Sequence, residues 1–308
     1  MAIVGPTATG KSAVGVELAK RIGGEIISAD SMQIYKGMNI GTAKITLDEM
    51  DGVAHYLTDI VEPSEPFSVA QYQKLARQII DELAMNGKIP VLVGGTGLYI
   101  RSVIDKLNFP SGDISSKIRR KLEMRAQEES PAALYEELIK KDPAAAEIVH
   151  PNNVRRIIRA LEVIELTGRP FSEFHREWKT RESLYDLEMF GLTMDREKLH
   201  ERINRRVDSM FKAGLLDEVE GLVAQGYESF LTSQQAIGYK ELIGFLKGEI
   251  SLEEAIETIK TRTRQYAKRQ LTWFRADPRV KWIDITGKST AEIAGEIMAQ
   301  LKKDRFVG

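Results

Sequence analysis

An α/β architecture is predicted: a parallel sheet flanked by helices, interrupted by an all-helical insertion. Three observations predict it. Roughly the first hundred residues alternate short β-branched runs with helix-period segments, the pattern of βαβ units. A Gly-rich phosphate-loop pattern falls between the first strand and the first helix. From about Ser111 to Tyr185 the chain changes to helix periodicity with dense charge and no convincing strand. The expected organisation is an α/β core over 1–110 and 186–308, with a helical insertion domain over 111–185.

Taken in order, Ala2–Gly5 reads as a strand, Ala13–Ile22 as a helix and Glu25–Ala29 as the second strand. Val69–Asn86 is helical and Ile89–Val93 is a further buried strand. Met189–Met194 and Val280–Ile285 are late strands that complete the sheet. Within the insertion the helices expected are Ser115–Glu128, Pro131–Lys140 and Asn153–Thr167. Ser251–Arg275 is a long helix, with Ser251 as N-cap and Glu254 closing a capping box. The first strand begins abruptly at Ala2, short for a buried strand, which suggests that native residues precede it.

Composition narrows the chemistry. The 308 residues are 43% hydrophobic and 29% charged, an ordinary globular mixture long enough to bury a full core. There is no Cys, which excludes disulfides, thiolate metal sites and a Cys nucleophile. Four His with no H-E-x-x-H pattern give no reason to expect a protein-ligated zinc. No apolar run approaches a membrane span, and no targeting or lipidation motif is present, so a cytoplasmic protein is expected. The formal charge of −1 provides no global basic field, so nucleic-acid binding has to rest on local patches.

Gly5-Pro6-Thr7-Ala8-Thr9-Gly10-Lys11-Ser12 matches G-x-x-x-x-G-K-[ST], the loop of P-loop NTPase-like folds. The glycines turn successive backbone N–H groups inward, the helix N-terminus adds partial positive charge, and Lys11 adds a full one. Ser12 can place its hydroxyl on Mg²⁺. The site therefore binds a di- or triphosphate. In NTPases of this kind a buried strand ends in a magnesium-binding Asp. Here the strand at Ile89–Val93 runs instead into Gly94-Gly95-Thr96-Gly97. The acid follows the second strand, in Asp30-Ser31-Met32-Gln33, at the edge where α/β sheets bind ligands. Asp30 is a candidate general base, although an Asp in that position also caps turns.

Taken together, GPTATGKS, ADSMQIYKGMNIGTAK, VLVGGTGLY, NNVRRIIRALEV and TRQYAKRQLTWFR resemble the bacterial tRNA dimethylallyltransferase (isopentenyltransferase) family, in order and over nearly the whole chain. The resemblance implies transfer of a dimethylallyl group from dimethylallyl diphosphate to N6 of the adenine immediately 3′ of the anticodon. It implies that Gly5, Thr7, Ala8, Thr9, Gly10, Lys11 and Ser12, with Mg²⁺, hold the diphosphate. Asp30 would accept the amine proton, Thr96 would lie near the adenine, and Arg202 would contact the pyrophosphate, with Arg206 one helical turn on as the fallback. Asp30, Ser31, Met32, Gln33 and Thr96 would meet the tRNA at the reacting base.

Arg155 and Arg159 are spaced i,i+4 on one helix face beside Arg156, which by itself reads as a solvated charged face. The resemblance assigns Arg155, Arg156, Ile157, Ile158 and Arg159 to tRNA contact, with Lys117, Arg119 and Arg120 as a weaker basic cluster. Arg262, Arg264, Lys268, Arg269 and Arg275 interleave with Tyr266, Trp273 and Phe274, which suits an RNA backbone and splayed bases, although Trp273 and Phe274 read better as core. His55 receives no role. The partners expected are the tRNA anticodon stem-loop and dimethylallyl diphosphate, acting on a monomer with no obligate protein partner. The competing readings are an adenylate (free-nucleotide) isopentenyltransferase, a P-loop small-molecule kinase, and a non-catalytic RNA-binding module. They are separated by acceptor choice, by phosphoryl transfer from ATP, and by tRNA affinity without activity.

Overall fold

The computed structural model describes residues 1–109, 117–178, 180–227 and 236–306. It divides into two compact units, Met1–Val103 with Asp186–Gly308, and Ile104–Tyr185.

In chain order the elements are β1 (Ala2–Val4), α1 (Lys11–Ile22), β2 (Gly24–Ser28), α2 (Leu47–Met50), β3 (His55–Tyr56), α3 (Val69–Met85), β4 (Ile89–Gly94) and α4 (Gly97–Ile104). Next come α5 (Lys117–Glu128), α6 (Pro131–Lys141), α7 (Val154–Thr167) and α8 (Phe171–Glu177), with a short 3₁₀ turn at Pro143–Glu147. The chain finishes with β5 (Met189–Thr193), α9 (Arg196–Lys212), α10 (Leu215–Ala224), α11 (Tyr239–Leu246), α12 (Leu252–Arg275), β6 (Val280–Asp284) and α13 (Thr290–Phe306).

The six strands form one sheet in the order β3-β2-β4-β1-β5-β6, and every pairing is parallel. Register follows the period-2 alternation of strand side chains. Ile3 lies opposite Val93 and Phe190, and Ile26 opposite Val91. All five join one core with Val14 and Leu18 of α1 and Ile293 and Ile297 of α13. The alternate residues Val4, Ile27 and Leu92 are also buried, as a parallel sheet covered on both faces requires. Because all strands run the same way, the loops after β1, β2 and β4 emerge at one edge, and these strands are neighbours there.

The second unit has its own core, in which Leu122, Leu134, Leu138, Ile157 and Leu161 pack together. Asp142 stitches it internally, accepting from Ser172 N at 2.8 Å and Ser172 Oγ at 2.7 Å. That bidentate capture ties the end of α6 to the start of α8.

Most sequence expectations differ from the structure only at their ends. Ala13–Ile22 begins at Lys11, because the loop's Gly10 takes the left-handed N-cap conformation (φ 76°) and lets the helix start there. Gly5, Ala29, Met194 and Ile285 fall just outside their strands, and Asn86 and Asn153 are helix caps. Asn153 Oδ1 accepts from Arg156 N at 3.2 Å, so α7 begins one residue later. α12 has the Ser251–Glu254 capping box read from the sequence. β3 has no signature in the sequence, since two residues carry no periodicity. The expected helix start at Ser115 lies outside the described residues. Among the described residues no helix is long and apolar enough to cross a membrane.

Candidate active site

The loop between β1 and α1 is built by backbone geometry that few residues tolerate. Ala8 adopts φ 65°, in the left-handed region that costs a non-glycine residue of order 1 kcal/mol or more. Thr9 stabilises the turn from inside, its Oγ1 donating to Pro6 O at 2.8 Å. Thr9 is buried, so its side chain holds the loop rather than facing a ligand. Lys11 Nζ donates to the same carbonyl at 2.7 Å.

A cavity of about 820 Å³ opens at the strand edge, lined by Thr7, Ala8, Gly10, Lys11 and Ser12 from the loop and by Asp30, Ser31, Met32 and Gln33 from the segment after β2. Val207, Met210, Leu215 and Ile259 add apolar wall, and Arg206, Tyr266, Arg269 and Gln270 add polar groups. Although Lys11 keeps some surface, its ammonium is enclosed. Burial, and then the nearby Arg206 charge, lower its pKa to about 7 against the opposing pull of Asp30. Burial likewise works against the Arg206 charge, and Asp30 again opposes it. The cavity thus sets two poorly solvated cations, Lys11 and Arg206, beside the Asp30 carboxylate, an arrangement that an arriving polyanion relieves.

Asp30 also accepts from Met32 N at 2.9 Å, so it caps its own turn as well as facing the cavity. Gln33 is fully engaged, accepting from Ser28 Oγ and donating to Thr42 O and Ala43 O. Thr96 follows β4 and lies just behind the cavity wall. Its amide donates to Ala29 O at 3.1 Å, and its Oγ1 accepts from Ser31 N at 3.1 Å. It also hydrogen-bonds Tyr266, which burial raises to about pKa 12. Gly5 lies behind the loop, where an added Cβ would meet Leu192 O at 2.6 Å.

The two candidate arginines of α9 separate. Arg206 lines the cavity. Arg202 approaches from outside the lining, its Nη2 3.8 Å from where a Cβ on Gly10 would be. The fallback residue thus faces the cavity more directly than Arg202 does.

The residues expected to meet RNA in the second unit also separate. Ile157 and Ile158 are buried in its core, so their side chains present no surface. Glu162 is only 1% exposed and is paired with Arg159 at 2.7 Å and Arg119 at 3.2 Å. Those two guanidinium groups neutralise a buried carboxylate. Arg155, Arg156, Lys117 and Arg120 are exposed.

On α12, Phe274 is buried as expected, whereas Trp273 is 44% exposed with its indole against Gly97. Arg262 pairs with Glu241, Arg264 Nη1 donates to Asn204 Oδ1 at 2.6 Å, and the Arg269 guanidinium lies 5.6 Å from the Tyr266 ring centre. His55 Nδ1 lies 2.9 Å from Val53 O, a local contact that gives it no chemistry. Gln270 is the residue that sequence reasoning passed over. Its only signal was a polar residue one turn after Tyr266, on a helix face otherwise packed inward.

Comparison with known proteins gives a consistent result. The IPP transferase family (IPPT) matches residues 33–277. A tRNA dimethylallyltransferase of Carboxydothermus hydrogenoformans is 51% identical over 99% of this chain and 98% of its own. A tRNA dimethylallyltransferase of Halalkalibacterium halodurans is 50% identical over 98% of both chains. Among solved structures, a full-length tRNA isopentenylpyrophosphate transferase of Bacillus halodurans matches with TM-score 0.72 and 49% identity, over 99% of this chain and 97% of that one. A eukaryotic dimethylallyltransferase acting on tRNA matches with TM-score 0.79 and 32% identity, over 92% of this chain and 73% of that one.

Proposed function

The chain belongs to the IPP transferase family, and from that premise we propose that it transfers a dimethylallyl group from dimethylallyl diphosphate to N6 of the adenine immediately 3′ of the anticodon in tRNA, releasing pyrophosphate. The observation that carries the reading is a single cavity that combines a phosphate loop with Asp30, while β4 ends in Gly94-Gly95-Thr96 instead of an acid. Such a loop suits a diphosphate that leaves intact better than a γ-phosphoryl that must be transferred.

The chemistry balances simply. The adenine nitrogen attacks the allylic carbon, the N–C bond forms as the C–O bond to pyrophosphate breaks, and the amine proton passes to Asp30. Lys11, the loop amides and Arg206 take up the charge developing on the departing pyrophosphate, with Arg202 flanking Gly10. That electrostatic stabilisation is the largest lever on the barrier. Thr96, held by Ser31 and Tyr266, orients the acceptor base next to Asp30. The base must leave its stack to reach this position.

The described residues offer no cluster of acids and histidines that would cage a metal, but Ser12 presents a hard oxygen at the loop. That donor set fits Mg²⁺, which is held mainly by phosphate oxygens and water. When bound, the ion neutralises part of the leaving-group charge. Arg155, Arg156 and Lys117 supply exposed cations for tRNA phosphates from the 111–185 insertion. The enzyme acts as a cytoplasmic monomer on tRNA.

The donor assignment is tested by competition at the loop. Dimethylallyl diphosphate should displace a labelled diphosphate far better than ATP, and Lys11→Ala should abolish both. Tight Mg²⁺-dependent ATP binding without isoprenoid diphosphate binding would instead favour a small-molecule kinase.

A further inference from the structure

Gln270 is 5% exposed, yet all of its carboxamide is engaged. Oε1 accepts from the Thr7 amide at 2.8 Å, and Nε2 donates to Gly95 O at 2.9 Å. Its side chain also hydrogen-bonds Tyr266, which in turn bonds Thr96. Thr7 belongs to the phosphate loop and Gly95 to the turn carrying Thr96. One side chain from α12 therefore bridges the two loops. The approach is close enough that a side chain at residue 95 would displace the carboxamide, since a Cβ there would stand 2.1 Å from Gln270 Nε2.

We infer that Gln270 is a positioning residue, whose carboxamide fixes the separation between the phosphate loop and the Gly94–Gly97 turn and thereby aligns donor with acceptor. The inference rests on the transfer reaction proposed above. A displacement of the reacting atoms by about 1 Å can cost on the order of 10²-fold in rate, and among the described residues no other side-chain hydrogen bond joins Thr7 to this turn. The bridge needs one acceptor facing Thr7 and one donor facing Gly95. Glutamine supplies both, whereas an ionised glutamate turns a lone pair toward the Gly95 carbonyl.

The test compares Gln270→Ala and Gln270→Glu with wild type in single-turnover transfer, alongside dissociation constants for dimethylallyl diphosphate and tRNA. Q270A should lose at least about tenfold in the chemical step, with both affinities held within about threefold. Q270E is the conservative rescue. Protonated, its carboxyl can donate to Gly95 O, so its rate relative to wild type should be highest at acid pH and fall as pH rises. The titratable and charged groups sharing the cavity are Lys11, Asp30, Glu49, Arg206, Tyr266 and Arg269, and taking the ratio to wild type removes their own pH dependence. If Q270A does not fold, the Q270E ratio decides alone. Q270A within about twofold of wild type, a loss confined to affinity, or a Q270E ratio independent of pH would each overturn the inference. A wild-type protein that transfers nothing would instead overturn the proposed function.

Discussion

Lys11 donates to the Pro6 carbonyl and shares its surroundings with Arg206 and Asp30, so its ammonium is enclosed before a diphosphate arrives. Its pKa of about 7 has a measurable consequence. A bound diphosphate adds negative charge and raises that pKa, so between the two values binding takes up a proton. Affinity should then fall as pH rises above about 7, by at most about tenfold per pH unit, once the donor's own ionisation is subtracted. Calorimetry of wild-type protein at about pH 8 in buffers of different ionisation enthalpy should show net proton uptake on diphosphate binding, larger at that pH than near pH 6. Equal heats in all buffers would contradict the assignment. Asp30 lends itself to a cleaner substitution. Asp30→Asn keeps the shape and leaves an oxygen for Met32 N, but it cannot accept a proton at neutral pH. Its single-turnover rate should fall on the order of 10²-fold or more while donor and tRNA affinities change little. An unchanged rate would leave water or a phosphate oxygen as the base.

Secondary-structure elements decide what a cluster of like residues does. α7 carries three arginines that look alike in sequence, yet its caps and packing divide them. Arg159 is drawn to Glu162 and Ile157 and Ile158 face the core, leaving Arg155 and Arg156 exposed. Arg155→Ala with Arg156→Ala should weaken tRNA binding, and each lost phosphate contact should reduce the salt slope by about 0.7–0.9. Arg159→Ala should instead lower stability by about 1 kcal/mol, since Glu162 keeps Arg119 and Arg159 is partly exposed. Salt titration of tRNA affinity and urea unfolding read the two effects separately. Equal effects of both changes on binding and stability would mean that the helix face is not divided in this way. The sequence could not reveal this division, because an i,i+4 spacing says which residues share a face but not which carboxylate waits in the core.

At the scale of the molecule, the parallel sheet and its loops were readable because three long signals agree: buried β-branched strands, the phosphate-loop motif and the helical periodicity of the middle. What was not readable depends on tertiary approach. β3 is too short to have a period, Arg206 lines the cavity whereas Arg202, one turn away on the same face of α9, does not, and Gln270 joins two loops far from it in sequence. Sequence spacing placed Asp30 and Lys11 at the ends of neighbouring elements, but their common cavity is a property of strand order. The claim that this cavity alkylates a tRNA base is tested most directly by incubating the protein with labelled dimethylallyl diphosphate, Mg²⁺ and unmodified tRNA, then mapping the label by nuclease digestion and mass spectrometry. The account predicts one dimethylallyl group on N6 of the adenine 3′ of the anticodon, with stoichiometric pyrophosphate. Label absent from tRNA, or carried on free AMP in its place, would contradict it.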